Sequence, residues 1–258
     1  MSDSSVVLKV GLLLRAIAAS EPSGASTSDL GRTADVNRST AHRLLCELRD
    51  QGLADRDDST GRWLLGPDLF LMGVAAGRRY DVTALAQPVV RRLSVATSES
   101  AFFSVLRGRE TVCLVQEEGS YPIRSHVLHE GIRFPLGVAS AGLAILAFLP
   151  EPEIRAHLRD TDLTGFGPGH SPADLRRRLR EARDRGFAVN PGLVVEGSWG
   201  MASAVFDGFD RPIGALSLTG VEHRFQTQRR IELGRLLLEA AHELSARLRD
   251  RTASQGAR

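Results

Sequence analysis

The sequence predicts an α+β protein of two domains, with an N-terminal winged helix-turn-helix, a linker helix, and a C-terminal antiparallel sheet flanked by helices. At 258 residues the chain is long for one domain and comfortable for two. Its first part shows three short helical patterns and then a hairpin pattern, and its second part mixes strands and helices without βαβ order. We expect the winged helix at residues 5–66, the linker helix at 67–80 and the second domain at 81–250.

Composition indicates a soluble protein. The chain is 42% hydrophobic and 25% charged, and its longest apolar stretches fall short of the roughly 18 to 20 residues that cross a bilayer. The first ten residues show no signal-peptide pattern, so we expect a cytoplasmic protein without a membrane partner. A net charge of +2 does not identify a nucleic-acid binder, because DNA affinity depends on local basic surface.

The third helical segment carries the clearest functional pattern. Helices are predicted at 7–17, at 27–33 with Thr27 or Ser28 as its cap, and at 38–51. In the third, apolar residues at spacings of three and four must face the core: Ala41, Leu44, Leu45 and Leu48. The start of this helix presents hydrogen-bond donors suited to phosphates and base edges. The candidate DNA-binding residues here are Asn37, Arg38, Ser39, Thr40, His42 and Arg43, with Thr27 and Ser28 from the preceding helix.

A hairpin pattern follows the third helix. Segments 53–57 and 61–65 read as strands around a turn at 58–60, which completes a winged helix. Arg56 and Arg62 on this hairpin are predicted to contact the sugar-phosphate backbone beside the groove. The alternative is a winged helix used for protein contacts, with its polar face merely solvated.

The second half predicts a sheet with helices around it. A helix at 83–96 is expected to be interrupted by Pro88, because proline lacks the N–H that the helix needs. The predicted strands cover 101–106, 111–116, 200–206 and 213–218, with added pairing at 121–127 and near Phe134. Further helices are predicted at 142–149, 152–158, 172–185 and 226–249, and residues 252–258 are predicted to be a frayed tail.

Several segments together resemble one family of regulators. They are residues 35–53 (DVNRSTAHRLLCELRDQGL), 61–73 (GRWLLGPDLFLMG), 131–149 (GIRFPLGVASAGLAILAFL), 185–190 (RGFAVN) and 202–221 (ASAVFDGFDRPIGALSLTGV). In order and spacing, over about residues 6 to 250, the chain resembles the IclR family of bacterial regulators. The resemblance implies a homodimer or tetramer, an inverted-repeat operator in double-stranded DNA, and a GAF-like domain that binds a small organic effector. Such regulators repress or activate operons for the catabolism of organic acids and aromatic compounds.

An effector pocket is expected at a helix start with small side chains. The N–H groups of residues 139–142 could receive a carboxylate, which matches the family's effector site, and Ser217 and Thr219 share one face of a strand. The candidate effector-binding residues are Ala139, Ser140, Ala141, Gly142, Trp199, Met201, Ser217 and Thr219. The chain departs from the family pattern, which often has an acidic residue soon after RGFAVN and a cysteine where Gly200 stands. Trp199 suggests an aromatic or apolar ligand. The alternative is small-residue packing with ordinary strand polarity.

Other patterns predict neither catalysis nor a metal. His126, His129 and Glu130 lack a further ligand at a matching spacing, and the arginines at 176, 177, 178 and 180 are expected to be a solvated helix face. No G-x-S-x-G, H-E-x-x-H or P-loop pattern occurs, so we expect no cofactor, no metal and no catalytic residue. The competing functions are a small-molecule hydrolase and a ligand-binding adaptor, each on a GAF-like scaffold.

Overall fold

The computed structural model describes residues 5–77 and 82–256, which form two compact units, Met1–Tyr80 and Asp81–Arg258. The predicted break near residues 78 to 82 lies outside the described residues, except that Val82 begins a helix. Of the helices in the two described stretches, none is long and apolar enough to cross a membrane.

The first unit is a winged helix-turn-helix. Its elements are α1 (Val6–Ala18), α2 (Thr27–Thr33), α3 (Arg38–Asp50), β1 (Ala54–Arg56), β2 (Trp63–Leu65) and α4 (Pro67–Gly77). β1 and β2 pair as an antiparallel hairpin, as predicted. The four apolar residues predicted to face the core from α3 are all buried there, around the indole of Trp63.

The cap of α2 corrects one expectation. Ser26 is the N-cap, because its hydroxyl accepts a hydrogen bond from the Asp29 N–H at 3.2 Å. Neither Thr27 nor Ser28 caps this helix, since both already belong to its first turn. The hydroxyl of Thr27 instead accepts a 2.9 Å hydrogen bond from the Trp63 indole N–H, which ties the start of α2 to the core.

The second unit is a six-stranded antiparallel sheet between two layers of helices. The strands are β3 (Ser100–Arg107), β4 (Glu110–Glu117), β5 (Arg133–Pro135), β6 (Ala188–Pro191), β7 (Ser198–Phe206) and β8 (Pro212–Val221), in the order β5-β4-β3-β8-β7-β6. The helices are α5 (Val82–Thr97), α6 (Ser140–Phe148), α7 (Glu151–Asp160), α8 (Pro172–Arg185) and α9 (Thr227–Gly256). One sheet face packs on α5 and α9, and the other on the buried helix α6 with α7 and α8.

Alternation along the strands decides which side chains face which layer. In β7, Met201 and Val205 pack toward α5 and α9, whereas Ala202 packs toward α6. In β8, Leu216 and Leu218 lie on the α9 side, whereas Ala215 lies on the α6 side. Side chains two residues apart share a face. Ser217 and Thr219 therefore lie on the α6 side.

Three further expectations are corrected here, and one strand had not been predicted. α5 continues through Pro88, because its buried residues on both sides of the proline hold it against the sheet. Residues 121–127 form turns and loop rather than a strand. β6 was not predicted as a strand, and it pairs with β7 at the edge of the sheet. The helix α9 runs to Gly256, so residues 252–256 continue the helix that was predicted to end at residue 249.

Candidate DNA-binding surface and ligand cavity

Asn37 shapes the start of the predicted recognition helix. Its Oδ1 accepts hydrogen bonds from the Thr40 N–H and the Ser39 hydroxyl, both at 2.9 Å. This satisfies a backbone donor that the first helical turn leaves free. Asn37 is therefore a helix cap, while Arg38, Ser39 and His42 remain exposed beside it.

An open cleft of about 600 Å³ is lined by five of the predicted DNA-binding residues. Its lining residues come from the start of α2, from α3 and from β1: Thr27, Arg38, Ser39, His42 and Arg56. Neither Arg38 nor Arg56 forms an ion pair with a described residue. Two guanidinium groups without an ion-pair partner among the described residues, on one concave and exposed surface, suit a polyanion.

The remaining predicted DNA-binding residues lie outside this cleft. Arg43 pairs with Glu47 at 2.6 Å along the exposed side of α3. Arg62 turns back to donate a 3.1 Å hydrogen bond to the Gly24 carbonyl. Ser28 and Thr40 are not among the residues that line the cleft.

The tip of the wing is organised by one carboxylate. Asp57 Oδ1 accepts hydrogen bonds from the N–H and hydroxyl groups of Ser59 and Thr60. The Ser59 hydroxyl bond is the main cause that lowers the pKa of Asp57 to about 2. Arg56 bonds the Gly61 carbonyl through Nε at 3.1 Å and lies 5.4 Å from the centre of the Trp63 ring. The wing is thus held in one shape beside the cleft.

A small cavity lies at the start of α6, in the second unit. Four of its lining residues belong to the predicted effector set, Ala139, Ser140, Trp199 and Thr219, and the others are Val127, Leu128, Asn190, Val194, Ser198 and Gly200. Its volume of about 20 Å³ corresponds to about one water molecule. An outer cleft of about 540 Å³ shares Val127 and Ser198 with it.

Two buried hydroxyls on the α6 face lack hydrogen-bond partners. Ser217 Oγ and Thr219 Oγ1 are inaccessible to solvent, and neither bonds any described group. A buried hydroxyl without a partner costs about 1 to 3 kcal/mol. Such groups are uncommon in folded proteins, so these two hydroxyls are available to bond a water molecule or a ligand.

Two predicted effector residues belong to the other face of the sheet. Met201 is fully buried among the residues that pack against α5 and α9, so it does not face the α6 cavity. Trp199 borders the cavity, but its ring packs on the α9 side beneath the Arg230 guanidinium, 5.2 Å away. Ala141 and Gly142 are buried within α6 and do not line the cavity. Gly200 lets the strand approach α6, since a Cβ there would lie 3.0 Å from Ser140 Oγ.

Asn190 was missed as a site residue although it stands in the RGFAVN segment. Its Nδ2 donates to the Val138 carbonyl at 2.8 Å, and its Oδ1 accepts from the Leu193 N–H at 2.8 Å. It thereby fixes the backbone just before the first turn of α6. The signal available in the sequence was an amide side chain inside an otherwise apolar segment, because a buried amide requires partners.

Arg178 contradicts the expected solvated face of α8. Arg176, Arg177 and Arg180 are exposed, but Arg178 is only 6% exposed and bonds the Gly169 carbonyl at 3.1 Å. Burial lowers its pKa to about 10. Among the residues that the structure describes, no three histidine, cysteine or acidic side chains are grouped so as to hold a metal ion.

Comparison with protein families decides the identity of the chain. Residues 6–58 match the IclR helix-turn-helix domain, and residues 74–246 match the bacterial transcriptional regulator IclR C-terminal family. The chain belongs to the IclR family of bacterial transcriptional regulators. It is therefore a DNA-binding transcriptional regulator, as the resemblance implied.

This IclR-family regulator has both curated relatives and solved structural neighbours. It is 31% identical to the HTH-type transcriptional repressor AllR of Escherichia coli K12, over 88% of this chain and 85% of that protein. It is also 31% identical to the regulator BhcR of Paracoccus denitrificans, over 86% and 80% of the two chains. The crystal structure of an IclR homolog from Microbacterium hydrocarbonoxydans, complexed with 4-hydroxybenzoate, superimposes with a TM-score of 0.76 at 26% identity, over 95% of this chain and 99% of that one.

Proposed function

We propose that this regulator binds an inverted-repeat operator as a homodimer, and that a small organic effector in the α6 cavity changes its operator affinity. The observation that supports operator binding is the cleft in which Arg38, Ser39, His42 and Arg56 converge from α3 and the wing. The role is regulation rather than catalysis. Because the operator lies in the bacterial cytoplasm, the proposal places the protein there.

Operator binding is tested by removing single arginines. We expect Arg38→Ala and Arg56→Ala each to weaken binding by about 1 to 3 kcal/mol if the arginine reads a base. Loss of a phosphate contact would instead weaken binding to all DNA sequences by the same amount, and would reduce the slope of log affinity against log salt concentration by about 1. Fluorescence anisotropy with DNA that flanks the gene, at several salt concentrations, measures both quantities.

Arg49→Ala is the matched control, because Arg49 lies on the same helix, is also exposed, and does not line the cleft. Equal affinities for the control, for Arg38→Ala and for Arg56→Ala would contradict the proposed surface. The same measurement on Arg43→Ala decides whether the Arg43 and Glu47 pair opens to contact DNA.

The proposed dimer rests on exposed apolar side chains in the first unit. The largest group lies on α4, where Phe70, Leu71, Met72 and Val74 are each more than half exposed, and α1 adds Val6, Val7 and Leu8. Exposed apolar groups of this size mark contact surfaces. A two-fold protein also matches two half-sites one or more helical turns apart.

Light scattering on the full chain tests the dimer. We expect a dimer at micromolar concentration, and a shift toward monomer when Phe70 and Met72 are both changed to Glu. Val95→Glu is the control, since Val95 is 77% exposed and belongs to α5 in the second unit. A monomeric wild type, with or without DNA, would refute this part of the proposal.

The proposed effector is a small carboxylic acid. The first N–H groups of α6, with no side-chain cap at Ala139, suit an anion. The unpartnered hydroxyls of Ser217 and Thr219 lie on the sheet face that α6 covers. Because the cavity has room for only about one water molecule, an organic acid requires the loops that carry Val127 and Val194 to move apart. The 4-hydroxybenzoate complex of the Microbacterium homolog supports this class of ligand.

A further inference from the structure

A second cavity lies on the opposite side of the sheet, at its β6 edge. It has a volume of about 420 Å³ and is lined by Arg185, Phe187, Val189, Thr227, Arg230 and Ile231. Pockets for small molecules usually fall between about 300 and 1,000 Å³. We call it the edge cavity. None of its lining residues lines the α6 cavity.

The apolar wall of the edge cavity is built by the turn from α8 into β6. Gly186 ends α8 in the left-handed conformation, with φ of +78°. Phe187 then packs against α9 at Gly234, where a Cβ would lie 2.3 Å from a ring carbon. Val189, two residues on, shares the face of Phe187. Gly234 thus leaves space for the Phe187 ring against α9, and the ring forms one wall of the cavity.

Arg230 supplies a positioned cation at this wall. Its guanidinium lies 5.2 Å from the centre of the Trp199 ring, and its Nη2 donates to the Thr227 hydroxyl at 3.1 Å. Its Nε is inaccessible to solvent and has no hydrogen-bond partner among the described residues. An arginine that is stacked on a ring and held by a hydroxyl loses little freedom when it binds an anion.

The charge around the edge cavity is uncompensated. Arg185 and Arg230 both line it, none of its described lining residues is acidic, and neither arginine forms an ion pair with a described residue. Thr227 is the first residue of α9, so the positive end of a 30-residue helix adds to this field. A ligand that fits must therefore combine a negative group with an apolar part.

We infer that the edge cavity binds a small amphipathic carboxylate. The carboxylate is held by Arg185 and Arg230, and the apolar part lies against Phe187, Val189 and Ile231. This site is separate from the α6 cavity, because the sheet stands between the two. The chain thus has a second ligand site with its own set of lining residues.

Calorimetry on the full chain with three probes tests the site. Octanoate carries both the charge and the apolar part, acetate carries only the charge, and 1-octanol carries only the apolar part. We expect octanoate to bind at least about tenfold more tightly than either of the others, since a charge-assisted hydrogen bond contributes about 1.5 to 3 kcal/mol. We also expect Trp199 fluorescence to change, because its ring lies under Arg230.

Three variants locate the binding. Arg230→Gln and Arg185→Gln should each weaken octanoate binding by about tenfold or more. Arg185 is exposed at the end of α8, so its loss does not disturb the core. Arg235→Gln is the matched control, because Arg235 lies on α9 but pairs with Glu239 and does not line the cavity. It should bind octanoate like the wild type.

Each contrary outcome overturns the assignment. Equal binding of octanoate by the wild type and both arginine variants excludes this cavity, and loss of binding in Thr219→Val would place octanoate at α6. Equal affinity for acetate and octanoate excludes the apolar subsite. A change of oligomeric state in Arg230→Gln or Arg185→Gln, seen by light scattering, would show that a second copy of the chain covers the cavity. None of these outcomes affects operator binding by Arg38 and Arg56.

Discussion

Asn37 has a structural role that does not depend on DNA. Its Oδ1 holds the Thr40 N–H and the Ser39 hydroxyl, so the amide fixes both the first turn of α3 and a side chain that lines the cleft. A cap of this kind contributes typically about 1 kcal/mol. The predicted DNA contact and the structural role therefore fall on the same residue, and two substitutions separate them.

We expect Asn37→Ala to lower the free energy of unfolding of the first unit by about 0.5 to 2 kcal/mol, because the cap is lost. Asn37→Asp should keep the stability, since aspartate caps as well as asparagine does. It should nevertheless weaken operator binding, because it adds a negative charge beside the phosphates. Urea unfolding and operator titration on both variants measure this. If Asn37→Asp were destabilised as much as Asn37→Ala, the capping role would be wrong.

Thr27, Trp63 and Arg56 show how the cleft is held in place. The Thr27 hydroxyl accepts the indole N–H of the fully buried Trp63, and the Arg56 guanidinium lies over the same ring. One core residue thus positions two lining residues that are 29 positions apart in the chain. Preorganised donors lose less freedom when they bind. Sequence periodicity predicted the donors, but only the packed indole shows why they converge.

At the scale of secondary-structure elements, sequence periodicity predicted the helices more accurately than it predicted which face of the sheet each strand side chain occupies. The four apolar positions of α3 are buried as expected, because the opposite side of that helix is polar. β7 is buried on both faces, so its sequence shows no polar side from which to orient it. Trp199 and Met201 were therefore assigned to the α6 cavity, although their side chains pack toward α9. The burial of Arg178 could not be predicted, since it depends on the loop that carries Gly169.

The contact between β6 and α9 gives a stability prediction. Glycine inside a helix is normally about 1 kcal/mol less favourable than alanine. At Gly234 we expect alanine to be less favourable than glycine, because an added Cβ would clash with the Phe187 ring. Overpacking of this kind costs about 1 to 3 kcal/mol. Gly234→Ala should therefore lower the thermal unfolding temperature of the second unit.

Gly11→Ala is the control for this prediction. A Cβ at Gly11, within α1, would meet only the end of the Arg15 side chain, at 3.5 Å. It should leave the unfolding temperature unchanged or raise it. Calorimetric scans of both variants compare the two sites. A Gly234→Ala protein as stable as the wild type would show that Phe187 can move away, and that the wall of the edge cavity is not fixed.

At the scale of the whole molecule, the proposed switch couples an effector in one unit to DNA bound by the other. The covalent connection runs through α4 and residues 78–81. A ligand can change operator affinity only as far as it binds the two states of the protein with different affinities. The coupling is reciprocal, so the operator must change effector affinity by the same factor.

Ser217 and Thr219 allow this switch to be tested without disturbing the fold. Their hydroxyls are buried and have no partner, so Ser217→Ala with Thr219→Val removes two unsatisfied groups at nearly constant volume. The ligand-free double variant should be at least as stable as the wild type and should bind the operator equally well. It should bind no carboxylic acid at α6, because the hydroxyls that the ligand would satisfy are gone.

Titration of the wild type with 4-hydroxybenzoate and small aliphatic acids, with and without operator, measures the coupling. We expect one acid to shift operator affinity by about 1 to 3 kcal/mol, or about 5- to 150-fold, and the operator to shift the affinity of that acid equally. Because linkage requires equal factors, unequal values would mean that one of the two titrations had not reached equilibrium. A double variant that loses stability would show that the hydroxyls serve the fold, whereas a stable variant that still responds would place the effector outside the α6 cavity. The two hydroxyls are assigned to the ligand only if the double variant is stable, binds the operator and shows no response to the acid.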